Sequence, residues 1–467
     1  MPNSYAKDLD KFLKKYSIIQ RKRAACRYGG RFIFMISYID MKRVVVTGIG
    51  SVNPLGNYFR ISWDAIKAGS SGIAEIKRFD ASLLPWRVNG EIKNFNAGGY
   101  LSQKETRTLD PFVHYALASA LMAAEDAGIP PLNPLLAKRG LGGGNHSLFN
   151  SAGVIIGSSR GGISTIEREL LKFHGSRVTG HRSRFSPYLM PSTTISMAAS
   201  LVAQKLGIKG HCLGISNACS SGTNAVGEAF RLIRSGYAHL VLAGGSEAPL
   251  CRLCMEGYGI AGALSKQKRH SAVGPSTPRP FDKARDGFVL AEGACVFVLE
   301  DYESALERGA ALYGEIIGYG NTTDAFHITQ PSPEGEAKAM IMAIKEAGLS
   351  PDEVDYINTH GTGTQKGDIA EAQALRMVLG KKASMIPATA IKSMTGHMLA
   401  ASGAFEIAST LMSIREGIIP PTINLDEKDS ECDINIITEK TPADIRVAIS
   451  NSFGFGGVNA VIVLAKI

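Results

Sequence analysis

The sequence predicts an α/β protein with buried sheets, and three observations carry that prediction. Short apolar, β-branched runs end in glycine-rich turns, helical patterns fall between them, and 45% of the 467 residues are hydrophobic against 20% charged. The strands come in order as "RVVVTGIG" (43–50), "AGVIIGSS" (152–159), "HLVLAGGSE" (239–247) and "ACVFVLED" (294–301). "VDYINTHGTGT" (354–364), "PATAIKS" (387–393) and "RVAISNSFGFGG" (446–457) repeat the style. The helical patterns cover 114–126, 165–173, 223–235, 334–347, 368–379 and 402–415. The segments 138–150 and 265–280, rich in turn formers or charge, read as surface loops. No fixed-period repeat is visible.

The net charge of +9 sits largely at the front: residues 1–40 hold nine Lys or Arg against three Asp. The remainder has an ordinary globular balance, so no nucleic-acid partner is expected. This basic extension contains Asp8 and Asp10 and lacks the Ser-rich, acid-free character of a transit peptide. It reads as a weakly ordered arm, or as translated sequence upstream of a true start at Met41, and in either case as dispensable. Its apolar run 32–36 is too short for a membrane span, and no later segment reaches the roughly 18 apolar residues needed. A soluble protein without membrane insertion is expected. The seven cysteines are scattered and odd in number. That favours a reducing compartment, and the cytoplasm is the expected location. Cys251 and Cys254 have CxxC spacing without a second pair of ligands, so no metal site is expected.

Three glycine-rich turns that follow apolar strands carry reactive side chains. They are "NACSSG" with Cys219, "NTHGTGT" with His360, and "IKSMTGH" with Lys392 and His397; a fourth, "NSFGFGGVN", presents Phe455. Each alone is a weak signal, because a lone cysteine often only fills space and a lone histidine after a strand is often structural. Four similar strand ends point to one shared site, since function concentrates on loops held by rigid sheets.

Residues 41–467 resemble the β-ketoacyl-acyl-carrier-protein synthases, in particular the elongating class II enzymes. The resemblance rests on "MKRVVVTGIGSVNPLGN", "NACSSG", "RPFDKARDGFVLAEGA", "HGTGT" with its following "GD", "KSMTGH", "PPTINLD" and "NSFGFGGVNA". It implies a thiolase-like fold of two similar α-β-α-β-α halves forming a five-layered core, divided here as 41–299 and 300–467, in a homodimer. The implied reaction is condensation of malonyl-acyl-carrier protein with an acyl group held on Cys219. Its products are 3-oxoacyl-carrier protein, CO2 and free carrier. No resident cofactor is implied, because phosphopantetheine arrives on the acyl carrier protein.

The resemblance also distributes roles. Cys219 is the nucleophile, at the start of a helix with an apolar stripe of Val226, Phe230 and Ile233, where the helix N-terminus should favour its thiolate. His360 and His397 donate hydrogen bonds to the enolate, and Lys392 orients the network with Glu371 as its carboxylate partner. The backbone N–H groups of Cys219 and Phe455 form an oxyanion hole, and Phe455 also gates the site. Thr362 and Thr364 match pantetheine-binding positions. Glu371 and Asp368 are equally readable as acids opening a helix. Lys104 and Arg107 match a carrier-docking patch, with Thr108 in place of one basic residue, or simply a solvated helix face.

A degradative thiolase would carry a second reactive cysteine in its last glycine-rich loop, and an initiating synthase would have asparagine at His397. A chain-length factor would lack the nucleophile. "HGTGTQKGD" departs from the commoner HGTSTPxGD, which leaves a specialised polyketide or unusual fatty-acyl pathway as the alternative. Arg160 stands where class II enzymes commonly place isoleucine in the acyl pocket. An arginine there either turns outward or makes the pocket shorter and more polar.

Overall fold

The computed structural model describes residues 41–129, 149, 151–178, 184–266, 270–271, 274–275 and 277–467, together with 25–28 and 31–34. It forms two compact units, Met1–Met41 and Lys42–Ile467. In the first, Ala25–Tyr28 pairs antiparallel with Arg31–Phe34. The rest of the expected arm lies outside the described residues, as do most of loop 138–150 and part of loop 265–280.

The second unit is built on ten main strands. The first five are β1 (Val44–Val52), β2 (Gly153–Gly157), β3 (Cys212–Ile215), β4 (Leu240–Glu247) and β5 (Gly293–Asp301). The second five are β6 (Gly314–Thr323), β7 (Tyr356–Asn358), β8 (Pro387–Thr389), β9 (Val447–Gly454) and β10 (Val458–Ala465). Outward from their junction the first set runs β1-β5-β4-β2-β3 and the second β6-β10-β9-β7-β8, with the short strand Asn435–Ile436 beyond β8. The chain therefore traces one topology twice. In each pass the second strand is parallel to the third and the fourth, while the fifth is antiparallel to both its neighbours. The passes join through antiparallel pairing of β1 with β6.

Six helices complete the layers: α1 (Pro111–Asp126), α2 (Met197–Leu206), α3 (Ser221–Arg234), α4 (Pro333–Glu346), α5 (Gln365–Leu379) and α6 (Ala400–Glu416). Three apolar cores show how they stack. A central core joins Phe230 and Ile233 of α3, and Phe405 and Leu411 of α6, to residues from both passes such as Phe297 and Ile462. One outer core packs Phe112, Leu117 and Leu121 of α1, and Leu201 of α2, on Val154 and Val296. The other packs Met340 of α4 and Leu375 of α5 on Ile449 and Val461. Alternate residues of one strand thus serve different cores, as with Val296 outward and Phe297 inward. That is why these strands read as unbroken apolar runs. The result is the five-layered thiolase-like arrangement, helix–sheet–helix–sheet–helix.

Most expected elements form with small changes of boundary. α1 begins at Pro111, earlier than its apolar pattern, because the Asp110 carboxylate accepts the Phe112 N–H at 3.1 Å and proline suits the first helical position. Three strands escaped the pattern. β3 is a partly exposed edge, β6 is interrupted by glycines and polar residues in "GEIIGYGNTT", and β10 follows the glycine turn directly as the return strand of a hairpin. Helices α2 and Arg252–Ile260 were also missed, one alanine-rich and the other glycine-bearing.

Candidate active site

The repeated topology brings corresponding turns together. In each pass the third strand leads through a turn into a central helix: β3 through Cys219 into α3, and β8 through Lys392 and His397 into α6. β7 ends just before His360, and its counterpart β2 ends just before Arg160. The β9–β10 turn presents Phe455. These side chains sit beyond the carboxyl ends of parallel strands, where sheets of this kind hold ligands.

The turn that carries Cys219 is tightly built. Ala218 has φ +48°, and Ser221 Oγ accepts the Asn217 N–H at 2.8 Å while donating to the Ala218 carbonyl at 2.6 Å. Ser220 Oγ donates to the Val458 carbonyl at 2.6 Å, tying this turn to the β9–β10 hairpin. The hairpin comes so close because position 454 is glycine: a Cβ there would lie 3.0 Å from the Asn217 oxygen and 3.2 Å from the Cys219 nitrogen. Cys219 precedes the helix, with Ser220 as its N-cap and Ser221 its first residue.

His397 Nε2 lies 3.1 Å from Cys219 Sγ, and its Nδ1 lies 3.1 Å from Ser402 Oγ. The His360 and His397 rings are 5.5 Å apart, centre to centre, and nearly perpendicular. Lys392 Nζ donates to the His360 carbonyl at 2.6 Å, approaches His360 Nδ1 at 3.2 Å and pairs with Glu406 Oε1 at 2.5 Å. An ammonium has only protons to offer, so His360 Nδ1 is the acceptor and its proton resides on Nε2. Burial, then the Lys392 charge, holds both histidines well below their usual range, so both are neutral at pH 7.

Burial likewise pushes the Cys219 thiol up to about 11, outweighing the opposite pull of Lys392, Arg160 and a backbone hydrogen bond from Phe455. Burial thus opposes the preference for the thiolate that a helix start gives. The site at rest is a neutral thiol beside a neutral imidazole.

The expected pairing of Glu371 with Lys392 is also corrected, because Glu406 takes that place. Glu371 instead accepts the backbone N–H groups of His360 (2.8 Å) and Gly361 (2.9 Å) and the Asn451 amide (3.0 Å). Asp368 accepts the N–H groups of Thr362, Gly363 and Phe281, and burial pushes it up to about 7. Asp368 lies in the first turn of α5 and Glu371 in its second, and both hold the histidine loop. Glu406 had one visible signal: it is the lone acid in the stretch 400–415, otherwise made of small, apolar and hydroxyl residues up to Arg415.

Removing Glu406 leaves the Lys392 ammonium, 1% exposed, without its carboxylate. Glu406→Ala is expected to lower unfolding free energy by about 3–5 kcal/mol in urea titration. An unchanged midpoint would mean that another group, Glu371 first, neutralises the lysine.

These groups open into one cavity of about 480 Å³ lined by Cys219, His360, His397, Thr362, Thr364 and Phe455, among others. The Thr362 and Thr364 hydroxyls are 2.9 Å apart on its wall. Phe455 is 38% exposed, its ring 6.4 Å from that of Tyr258. Arg160 does not line this cavity. Its Nε donates to Tyr258 Oη at 2.8 Å, and Tyr258 forms the wall beside Cys219. Lys104 and Arg107 are exposed on the short helix Gln103–Thr108 and take no part in the cavity. Among the described residues, no cluster of His, Cys, Asp or Glu could hold a metal ion, and no helix is long and apolar enough to cross a membrane.

Comparison with known proteins agrees with this geometry. The β-ketoacyl synthase N-terminal domain matches residues 41–305, and the β-ketoacyl synthase C-terminal domain matches 313–426. The chain is 41% identical over 433 residues to the 3-oxoacyl-[acyl-carrier-protein] synthase 2 of Synechocystis sp., covering 92% of this chain and 99% of that one. The Vibrio harveyi protein of the same name is 39% identical, with 92% and 100% covered. Among solved structures, a β-ketoacyl synthase from Burkholderia phymatum superposes with TM-score 0.81 at 32% identity, covering 91% of this chain and all of that one. A type II PKS ketosynthase in complex with its acyl-carrier protein gives TM-score 0.80 at 32% identity, with the same coverage. Since both domain models match in order, and relatives near 40% identity align over nearly their whole length, the chain belongs to the β-ketoacyl synthase family.

Proposed function

We propose that this enzyme elongates fatty-acyl chains by decarboxylative Claisen condensation on acyl carrier protein. The observation that carries the reading is Cys219 Sγ 3.1 Å from His397 Nε2, with His360 beside it in one cavity. In the first half-reaction the Cys219 sulfur attacks the acyl thioester. His397 Nε2 takes the thiol proton and returns it to the departing pantetheine thiolate. In the second, the malonyl C–C bond breaks, CO2 leaves, and the electron pair enters an enolate held by the Nε2–H groups of His360 and His397. The enolate carbon attacks the acyl carbonyl, and the N–H groups of Cys219 and Phe455 hold the resulting oxyanion. Its collapse breaks the C–S bond, releases the 3-oxoacyl carrier and leaves a Cys219 thiolate that regains a proton from water. Lys392 fixes the His360 tautomer, while Thr362 and Thr364 hold the pantetheine arm. The reading requires no resident cofactor, since that arm travels with the carrier.

The relatives near 40% identity named 3-oxoacyl-[acyl-carrier-protein] synthase 2 favour fatty-acid elongation over a polyketide pathway, since the type II PKS ketosynthase stands at 32%. We place the enzyme in the cytoplasm, with Lys104 and Arg107 facing the acidic carrier and residues 41–299 and 300–467 as its two halves. A homodimer is supported by edge strand β3, which leaves Leu213 41% exposed on an unpaired sheet edge. The test is incubation with acyl- and malonyl-carrier protein. Acyl mass on Cys219 followed by 3-oxoacyl product is expected, and product without acylated Cys219 would overturn the assignment.

Chain length tests a finer point. Arg160 holds the hydroxyl of the wall residue Tyr258, and burial of part of its side chain demands such a partner. Arg160→Ile is expected to release Tyr258 and shift preference toward longer saturated acyl carriers in a competition assay. An unchanged profile would show that the Arg160–Tyr258 contact does not shape the acyl pocket.

A further inference from the structure

The two histidines are wired differently. His360 Nδ1 faces an ammonium and is confined to one tautomer. His397 Nδ1 faces the hydroxyl of Ser402, 2% exposed and buried at the start of α6. A serine oxygen offers two lone pairs and one proton. The Met398 N–H occupies one lone pair at 2.8 Å. One lone pair and the O–H remain for His397, so the hydroxyl can accept from Nδ1–H or donate to a bare Nδ1.

The role of Ser402 rests on the proposed condensation, which needs both states in turn. While Cys219 gives up its proton, Nε2 must be bare, which puts the imidazole proton on Nδ1. When the enolate forms, Nε2 must carry a proton to donate, and Nδ1 must be bare. We infer that Ser402 is a positioning residue that satisfies His397 in both tautomers, accepting during acyl transfer and donating during condensation. Between the half-reactions the imidazole exchanges its proton with water in the cavity, and the hydroxyl only rotates. No atom is consumed. A fixed partner such as a carboxylate or an ammonium would favour one half-reaction at the expense of the other, because a histidine held in the wrong tautomer loses most of its catalytic value.

The test uses the full chain with ¹⁵N-labelled histidine. Two-bond proton–nitrogen correlations report the His397 tautomer, assigned by its loss in His397→Ala. Resting enzyme is expected to show Nδ1–H, and enzyme acylated on Cys219 to shift toward Nε2–H. Ser402→Ala places a strong helix former in an alanine-rich segment and should fold. In it the shift on acylation should disappear, and both half-reactions should slow by about 10- to 100-fold, less than loss of the base itself. Ser402→Thr, which keeps the hydroxyl, should restore the shift and most of the rate. An acylation shift in Ser402→Ala equal to wild type, or rates within twofold of it, would overturn the inference. So would wild-type enzyme whose tautomer does not change on acylation, a measurement that needs no variant. If His397→Ala itself condensed normally, the proposed role of His397 would fail instead, so the two failures are distinguishable.

Discussion

Cys219→Ala enzyme is expected to make no 3-oxoacyl product and to take no acyl label, while still releasing CO2 from malonyl-carrier protein. The alanine removes the sulfur that must carry the acyl chain, and no other cysteine of the second unit can replace it: Cys251, Cys254, Cys295 and Cys432 are buried, and Cys212 lies on the outer edge of the sheet. Decarboxylation survives because its enolate donors, His360 and His397, remain in place. The same thiol gives a pH prediction. With its pKa raised to about 11, only about one molecule in ten thousand is thiolate at pH 7. Iodoacetamide labelling of Cys219 should therefore climb about tenfold per pH unit from 7 to 10 without levelling off. A plateau below pH 9 would restore the thiolate that a helix start suggests. Retained elongation in the alanine variant would move the acyl group elsewhere.

The repeated fold was only partly legible because its two copies share topology rather than sequence. β1 announces itself as the apolar run "VVVTGIGSV", whereas β6, its counterpart as first strand of the second pass, mixes glycine and polar groups among its apolar residues. Packing explains the glycines in both: a Cβ at Gly320 would lie 1.9 Å from the Ala339 oxygen of α4, and one at Gly50 of β1 would lie 2.0 Å from the Ser119 oxygen of α1, so what hides β6 is its added polar residues. The reactive residues were legible for the opposite reason. Cys219, His360, Lys392 and His397 each stand in a glycine-rich stretch just after an apolar strand, a pattern visible in local sequence. What sequence could not supply was pairing across the fold. Glu406 and Glu371 are both buried acids near Lys392, and only their positions on α6 and α5 decide which one bonds the ammonium and which one holds the loop. Nor could local sequence weigh a helix N-terminus against burial at Cys219, because burial depends on the hairpin that Gly454 brings across it.

Alanine substitution of the two histidines is expected to separate the half-reactions. Only His397 touches the sulfur, at 3.1 Å, so His397→Ala should slow acyl transfer to Cys219 as well as decarboxylation. His360 is bound to Lys392 through Nδ1 and reaches the cavity through Nε2, so His360→Ala should leave acyl transfer near wild type. Its decarboxylation and condensation should fall by about 10²–10³-fold, the usual cost of losing one preorganised donor to an oxyanion. The His360 substitution also frees the Lys392 ammonium to point into the cavity, where it can hold the enolate oxygen in part. That sets the expected loss toward the lower end for His360 and the upper end for His397. Single-turnover acylation, followed by mass spectrometry on Cys219, reads the first half-reaction, and CO2 release reads the second. Equal loss of acyl transfer in both variants would show that the histidines act as one unit on the thiol. Unchanged decarboxylation in both, with folding intact, would remove them from the enolate altogether.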